Sequence, residues 1–233
     1  NIVFDVDDTL YEMHQPFYTA VEALFPRFDQ AKLPSAYIRF RHYSDLTFPK
    51  VVSGEWTWDY MRFYRLNETL MDYGHQAITE SVAKDFQQIY EVALEKIALH
   101  PAIIQSIEYL ADKGIKLGII TNGPTKHQLK KIKNLGVNRW INNRIVVSQE
   151  VGYSKPEIEI FQIAEKRFGF KPEETLYVGD NYENDIVGAS SADWQSIWLN
   201  HRSKQLDDKI TPRYTYYIDS FEQMLPMLKK ALN

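Results

Sequence analysis

Asn1-Ile2-Val3-Phe4-Asp5-Val6-Asp7-Asp8-Thr9 opens the chain, and the switch from apolar residues to acids within it decides the fold. A short β-branched and aromatic run reads as a buried strand. Acids placed directly after it sit at the strand's carboxyl end, where open α/β sheets build their ligand sites. Side chains alternate along an extended chain, so Asp5 and Asp7 can face the same way. Two carboxylates so placed repel unless something holds them. A divalent cation would, because hard cations take oxygen ligands. The plain alternative for this stretch by itself is an acidic turn capping the next helix.

The chain has 233 residues, 44% hydrophobic, enough for one large domain or a core domain carrying an inserted one. Lysine and arginine number 27 against 31 acids, a net charge of −4. That balance leaves no electrostatic footprint for a nucleic acid polymer or an anionic membrane. The sequence has no cysteine, which excludes disulfides, zinc-thiolate sites and cysteine nucleophiles. No apolar run approaches the roughly 20 residues of a spanning helix, and no basic-plus-apolar signal opens the chain. A cytoplasmic protein, monomer or homodimer, is the expectation. Asn1 already stands at the edge of the strand, so a few residues are expected to precede it.

The pattern changes after the opening strand. Residues 15–99 show no strand periodicity and predict helices over Pro16–Phe25, Pro34–Leu46, Trp56–Leu70 and Ile78–Leu99, with Pro101 marking the boundary. Beyond it, strands over Lys116–Thr121, Arg144–Ser148, Thr175–Gly179, Ser196–Leu199 and Tyr216–Ile218 alternate with helices over Ile103–Lys113, Lys126–Leu135, Glu157–Phe168, Glu183–Ala192 and Phe221–Leu232. Such alternation predicts an α/β fold with a doubly wound parallel sheet. The expected organisation is a catalytic core from residues 1–14 and 100–233, with an all-helical domain inserted at 15–99.

Three more strand ends carry suggestive residues. Thr121-Asn122-Gly123-Pro124 runs into a helix, where a hydroxyl and backbone N–H groups suit an anion, or where Thr121 simply caps the helix. Lys155 precedes Pro156, a residue suited to the first helical position, and so projects from an extended loop. Gly179-Asp180 repeats the acid at a strand end, and Asp185 falls in the first turn of the next helix, where site and capping roles both fit. A parallel sheet would bring all of these to one edge.

Together these four segments resemble the haloacid dehalogenase-like (HAD) hydrolase superfamily over nearly the whole chain. Asp5-Val6-Asp7-Asp8-Thr9, Thr121-Asn122-Gly123, Lys155 and Gly179-Asp180 with Asp185 are similar to its four motifs in order, and Val187-Gly188-Ala189 and Ile197-Trp198-Leu199-Asn200 to its flanks. A helical insert right after the first motif resembles a C1-type cap, and the closest likeness is to subfamily I phosphatases, nucleotidase-like members included. Asp193-Trp194 departs from the family's frequent Gly-Trp, which puts a turn geometry in question.

The resemblance implies a Mg2+-dependent phosphatase acting on a small phosphorylated metabolite. Asp5 would be the nucleophile and Asp7 the general acid and base, which requires a raised Asp7 pKa. Thr121, Asn122 and Lys155 would hold the phosphate. Mg2+ would take the carboxylates of Asp5 and Asp180 and the backbone carbonyl of Asp7, with Asp185 as ligand or support. The family's dehalogenases lack an acid at the position of Asp7. Rival expectations are a sugar phosphomutase of the same fold and a non-enzymatic phospho-Asp signalling domain. The insert would close over the site and set substrate choice. Tyr43, Phe48, Trp56, Trp58, Tyr60, Phe63 and Tyr64 in it could stack on a base or sugar, and are expected rather to pack its core and its contact with the sheet. Arg39 and Arg41 are candidate substrate contacts, or parts of an ordinary amphipathic helix.

Overall fold

A computed structural model describes residues 1–232. It divides into two compact units: Met13–Lys96, and residues 1–12 with those from Ile97 onward.

The larger unit is built on a six-stranded, all-parallel sheet. Its strands are β1 (Ile2–Phe4), β2 (Leu117–Thr121), β3 (Ile145–Val147), β4 (Leu176–Gly179), β5 (Gln195–Leu199) and β6 (Tyr216–Ile218). Their order is β3-β2-β1-β4-β5-β6, which puts the opening strand between the two that end in Thr121 and Gly179. Phe4 pairs with Ile119 on one side and Val178 on the other, and Asp5 N–H donates to the Val178 carbonyl at 2.9 Å. This register brings the ends of β2, β1 and β4 together, and the change of winding direction falls there, where such sheets bind ligands. Every residue of β1, β2 and β4 is buried, as a strand covered by helices on both faces demands. Val3, Ile120, Val146 and Tyr177 pack with Ile160, Phe161, Ala164 and Trp194 in one continuous core. Each such large side chain contributes about 1.5–3 kcal/mol by leaving water.

In chain order, the helices of the smaller unit are α1 (His14–Leu24), α2 (Leu33–Val52), α3 (Trp58–Asp72) and α4 (Glu80–Ala93). Thr57 and Thr79 cap α3 and α4 by accepting the N–H groups of Tyr60 and Val82. The core of this unit is Phe17, Tyr37, Phe40, Leu66, Leu70, Phe86 and Tyr90. The seven aromatics expected to fill it do not. None is buried, and Tyr60 is 44% exposed. Five of them, Tyr43, Tyr64, Trp56, Tyr60 and Phe63, form a chain of ring contacts instead, Trp56 with Tyr60 at 4.7 Å and with Tyr64 at 5.0 Å, and Phe48 pairs with Trp58 at 6.1 Å. Arg39 is tied to Asp72 at 2.7 Å, and Arg41 lies 3.9 Å from Asp45.

The larger unit continues with α5 (Pro101–Asp112), α6 (Thr125–Leu135), α7 (Asn138–Ile141), α8 (Ser148–Val151), α9 (Ile158–Phe168), α10 (Gly188–Ser191) and α11 (Met224–Ala231). Several boundaries differ from expectation for local reasons. α2 runs through Pro49 to Val52, because a proline near a helix end removes one hydrogen bond without forbidding a last turn. Pro101 opens α5 behind the capping residue His100. Pro156 lies in a turn ahead of α9, not at its first position. Glu157 N–H closes that turn on the Ser154 carbonyl, and the Glu157 carboxylate accepts Ser154 N–H. The helix expected over Glu183–Ala192 is split into a wide π-helical turn, Tyr182–Val187, and α10. Asp193, where glycine is frequent, takes φ +59°, so the questioned turn forms with an aspartate in the left-handed region.

Candidate active site

Asp5 sits at the end of β1 with its carboxylate 9% exposed, and Lys155 Nζ donates to its Oδ1 at 2.7 Å. The same ammonium donates to Asp185 Oδ1 at 2.6 Å and to the Tyr177 hydroxyl at 2.9 Å. All three donor positions of the lysine are therefore used. Burial opposes its charge, but Asp185 and Asp5 outweigh burial and hold its pKa well above the ordinary value. The Tyr177 phenol, pushed up by burial, stays protonated and donates to the Ile120 carbonyl at 2.9 Å. Burial and the neighbouring Asp185 and Asp7 raise the Asp5 carboxyl to about 7, against the pull of Lys155.

Two short-range devices hold the lysine in place. Asn122, just past β2, exchanges two hydrogen bonds with the Lys155 backbone: Nδ2 to its carbonyl and Oδ1 from its N–H, both 2.9 Å. Asp185 Oδ2 accepts Asn181 N–H at 2.9 Å, which turns its other oxygen to the lysine. A Cβ on Gly179 would lie 2.4 Å from the Asp185 carboxylate, so this strand end must be glycine for Asp185 to pack there. Asp180 follows, buried, and the carboxylates of Asp5, Asp180 and Asp185 place ligand atoms within 4.8 Å of one another.

This donor set fits a hard divalent cation. It is all carboxylate oxygen, and two buried carboxylates share a single ammonium, leaving one negative charge unmatched beside it.

Asp7 differs from expectation. Its pKa is not raised. Burial alone would raise it, but the Lys131 ammonium, at 2.8 and 2.7 Å from its two oxygens, hold the carboxyl well below the usual range together with bonds from Tyr11 and Gln128. The Tyr11 hydroxyl donates at 2.6 Å and Gln128 Nε2 at 3.0 Å. Gln128 Nε2 also donates to the Asn122 carbonyl at 2.6 Å. A Cβ on Gly123 (φ +135°) would lie 2.9 Å from that nitrogen, which explains the glycine after Asn122.

Thr121 is buried at the end of β2 and does not cap α6, whose N-cap is Pro124. Gly123 N–H is taken by Ser148 Oγ at 2.9 Å, and Thr125 N–H by Gln149 at 2.8 Å. Asp8, buried at φ +60°, lies 3.9 Å from the Arg202 guanidinium, which also bonds Asp180. His201 bonds the Asp8 carbonyl at 3.0 Å, and burial lowers its pKa. Sequence reasoning missed Tyr11, Gln128, Lys131, Tyr177 and Arg202. Only Gln128 and Lys131 carried a signal, their spacing of three placing both on one face of α6.

The acid-and-lysine cluster lies at the switch point of a doubly wound parallel sheet, where this class of α/β protein places its ligand site. The family model for haloacid dehalogenase-like hydrolases matches residues 1–193, and the chain belongs to that family. It is 29% identical over 221 residues to a glyceraldehyde 3-phosphate phosphatase of Methanopyrus kandleri, spanning 95% of this chain and 91% of that one. It is 34% identical over 113 residues to the pyrimidine 5'-nucleotidase YjjG of Escherichia coli, 47% of this chain and 49% of that one. Among solved structures, the HAD-hydrolase YfnB of Bacillus subtilis, bound to magnesium, superposes with a TM-score of 0.73 at 25% identity over 97% of each chain.

Proposed function

We propose that this protein is a Mg2+-dependent phosphatase that hydrolyses a small phosphate monoester through an aspartyl-phosphate on Asp5. Its standing as a phosphoric monoester hydrolase rests on the family and on the phosphatases among its relatives. The assignment of roles rests on one observation above all: Lys155 joins Asp5 and Asp185 in a buried cluster at the end of the central strands.

A carboxylate and a phosphate dianion repel, so attack needs positive charge at the meeting point. Lys155 supplies one such charge and fixes the Asp5 carboxylate through Oδ1. Mg2+, when bound, would supply more, held by Asp5, the backbone carbonyl of Asp7 and Asp180, with Asp185 as ligand or support. Asp5 then forms a bond to phosphorus as the ester P–O bond breaks, and Asp7 serves as acid to the leaving oxygen only after it has taken a proton from solvent, against the pull of Lys131. In the second half, a water attacks phosphorus, Asp7 takes its proton, and the bond from Asp5 to phosphorus breaks. Because Lys131 keeps Asp7 ionised, the base role is the one prepared in advance. Thr121 and the Asn122 N–H would steady the phosphoryl oxygens.

The substrate class is a small phosphorylated metabolite, with triose phosphates and nucleotides as the first to try. A cytoplasmic location suits such a substrate, and among the described residues no helix is long and apolar enough to cross a membrane. The test is phosphate release from a panel of monoesters with Mg2+, with excess EDTA, and with Asp5→Asn. Release that needs neither the metal nor Asp5 would sink the mechanism.

A further inference from the structure

Arg202 stands three residues beyond the end of β5, in a loop tied by hydrogen bonds at Asn200. Asn200 Nδ2 donates to the Lys204 carbonyl at 3.0 Å, Lys204 N–H donates to Asn200 Oδ1 at 2.8 Å, and Asn200 N–H is tied to the Ile218 carbonyl at 2.8 Å. The loop aims Arg202 inward. Its Nη2 bonds Asp180 Oδ2, its Nε lies 3.9 Å from Asp8 Oδ2, and its side chain is only 13% exposed. Asp180 is the member common to two clusters of ligand-type side chains, one with the carboxylates of Asp5 and Asp185, the other with Asp8 and the His201 imidazole. The second group already has its cation in Arg202. The first has Lys155, but shared between two acids.

We infer that Arg202 competes with a divalent cation for Asp180 and so sets how tightly the site binds metal. The inference rests on the reading of Asp5, Asp180 and Asp185 as a Mg2+ site. A guanidinium bonded to a carboxylate oxygen occupies a lone pair and neutralises charge that an incoming cation would use. Binding the cation therefore requires Arg202 to give up Asp180 or to share it. The opposite expectation is that Arg202 aligns Asp180 and supports metal binding.

The two differ in sign. Isothermal titration of Mg2+ into EDTA-stripped protein compares wild type with Arg202→Gln and Arg202→Lys. Competition predicts that Arg202→Gln binds Mg2+ about ten- to a hundredfold more tightly, the worth of one released charge-assisted hydrogen bond. Arg202→Lys keeps the charge but loses the reach and the planar fork, so its affinity should fall between the two. Thermal unfolding adds a readout independent of turnover: stripped Arg202→Gln melts below stripped wild type, and Mg2+ raises its midpoint by more. Equal or weaker Mg2+ binding by Arg202→Gln overturns the inference while leaving the metal site intact. Failure of wild type itself to bind Mg2+ overturns the metal site and the inference with it.

Discussion

Lys155 in the larger unit and Arg65 in the helical unit are both buried cations, and the two are housed in opposite ways. Lys155 is enclosed by two carboxylates and a phenol, and its pKa is held well above the ordinary value. Among the described residues, the partners of Arg65 in the helical unit are neutral: Ser44 Oγ at 3.2 Å, Gln87 Oε1 at 3.1 Å and the faces of Phe40 at 4.3 Å and Tyr90 at 5.8 Å. Burial pushes its pKa down to about 10, and Arg41 and Arg62 press it further the same way. Arg65 serves packing: its guanidinium is a flat plate among rings that also donates two hydrogen bonds. Lys155 holds Asp5 and Asp185 together, since removing it would leave them facing each other with nothing between, and in the proposed mechanism it also serves the chemistry. A buried charge surrounded by opposite charges can be drawn on by a reaction; one surrounded by rings and amides cannot.

The largest effect expected from breaking this contrast is on turnover. Asp5→Asn should lose at least about a thousandfold in kcat while keeping the native circular dichroism spectrum, as for removal of a nucleophile. Lys155→Met should lose activity and also about 3–5 kcal/mol of stability in urea, since it strands two buried carboxylates.

A pH effect comes next. The Asp5 carboxyl is raised from its ordinary value to about 7. The folded state therefore holds that proton more tightly than the unfolded chain. Its contribution to stability is full below about pH 4 and is lost as pH rises to about 7. In EDTA-stripped protein, the stability of wild type relative to Asp5→Asn should fall across that window and level off above it. A flat difference would mean that Asp5 is not under electrostatic stress.

Lys131→Met is milder. It removes the main support of the low Asp7 pKa, so the acid limb of the kcat profile should move upward, with a loss of roughly ten- to a hundredfold in rate. The smallest effect belongs to Arg65→Met. Exchange of a buried charge without a counterion for an apolar side chain should change stability by no more than about 1 kcal/mol, and leave kcat alone. A collapse of activity there would break the contrast between the units.

What the sequence made legible follows the same division. β1, β2 and β4 were readable because each is a short apolar run that ends abruptly in polar residues, and the acids and lysine at those ends were readable with them. Lys131 was not. A lysine on a basic helix looks solvated, and its partner Asp7 lies 124 residues earlier in the chain. Its spacing of three from Gln128 puts the two on one face of α6, but that this face is the buried one, with Lys131 at 4% exposure, is a product of tertiary packing. The helical unit gave up its helices but not its core. Aromatic residues are frequent throughout it, and only packing separates the buried Phe17, Phe40 and Phe86 from the half-exposed rings between Tyr43 and Tyr64. The wide turn at Tyr182–Val187 was hidden because it arises from Asp185 folding back against Gly179, a contact rather than a propensity.

Mass spectrometry of acid-quenched protein tests the central claim most directly, after brief mixing with a reactive phosphate monoester and Mg2+. The account predicts a phosphoryl group on the peptide that carries Asp5, absent when EDTA is present and absent from Asp5→Asn. Steady phosphate release with that peptide never labelled, or with label on a different residue, would contradict it.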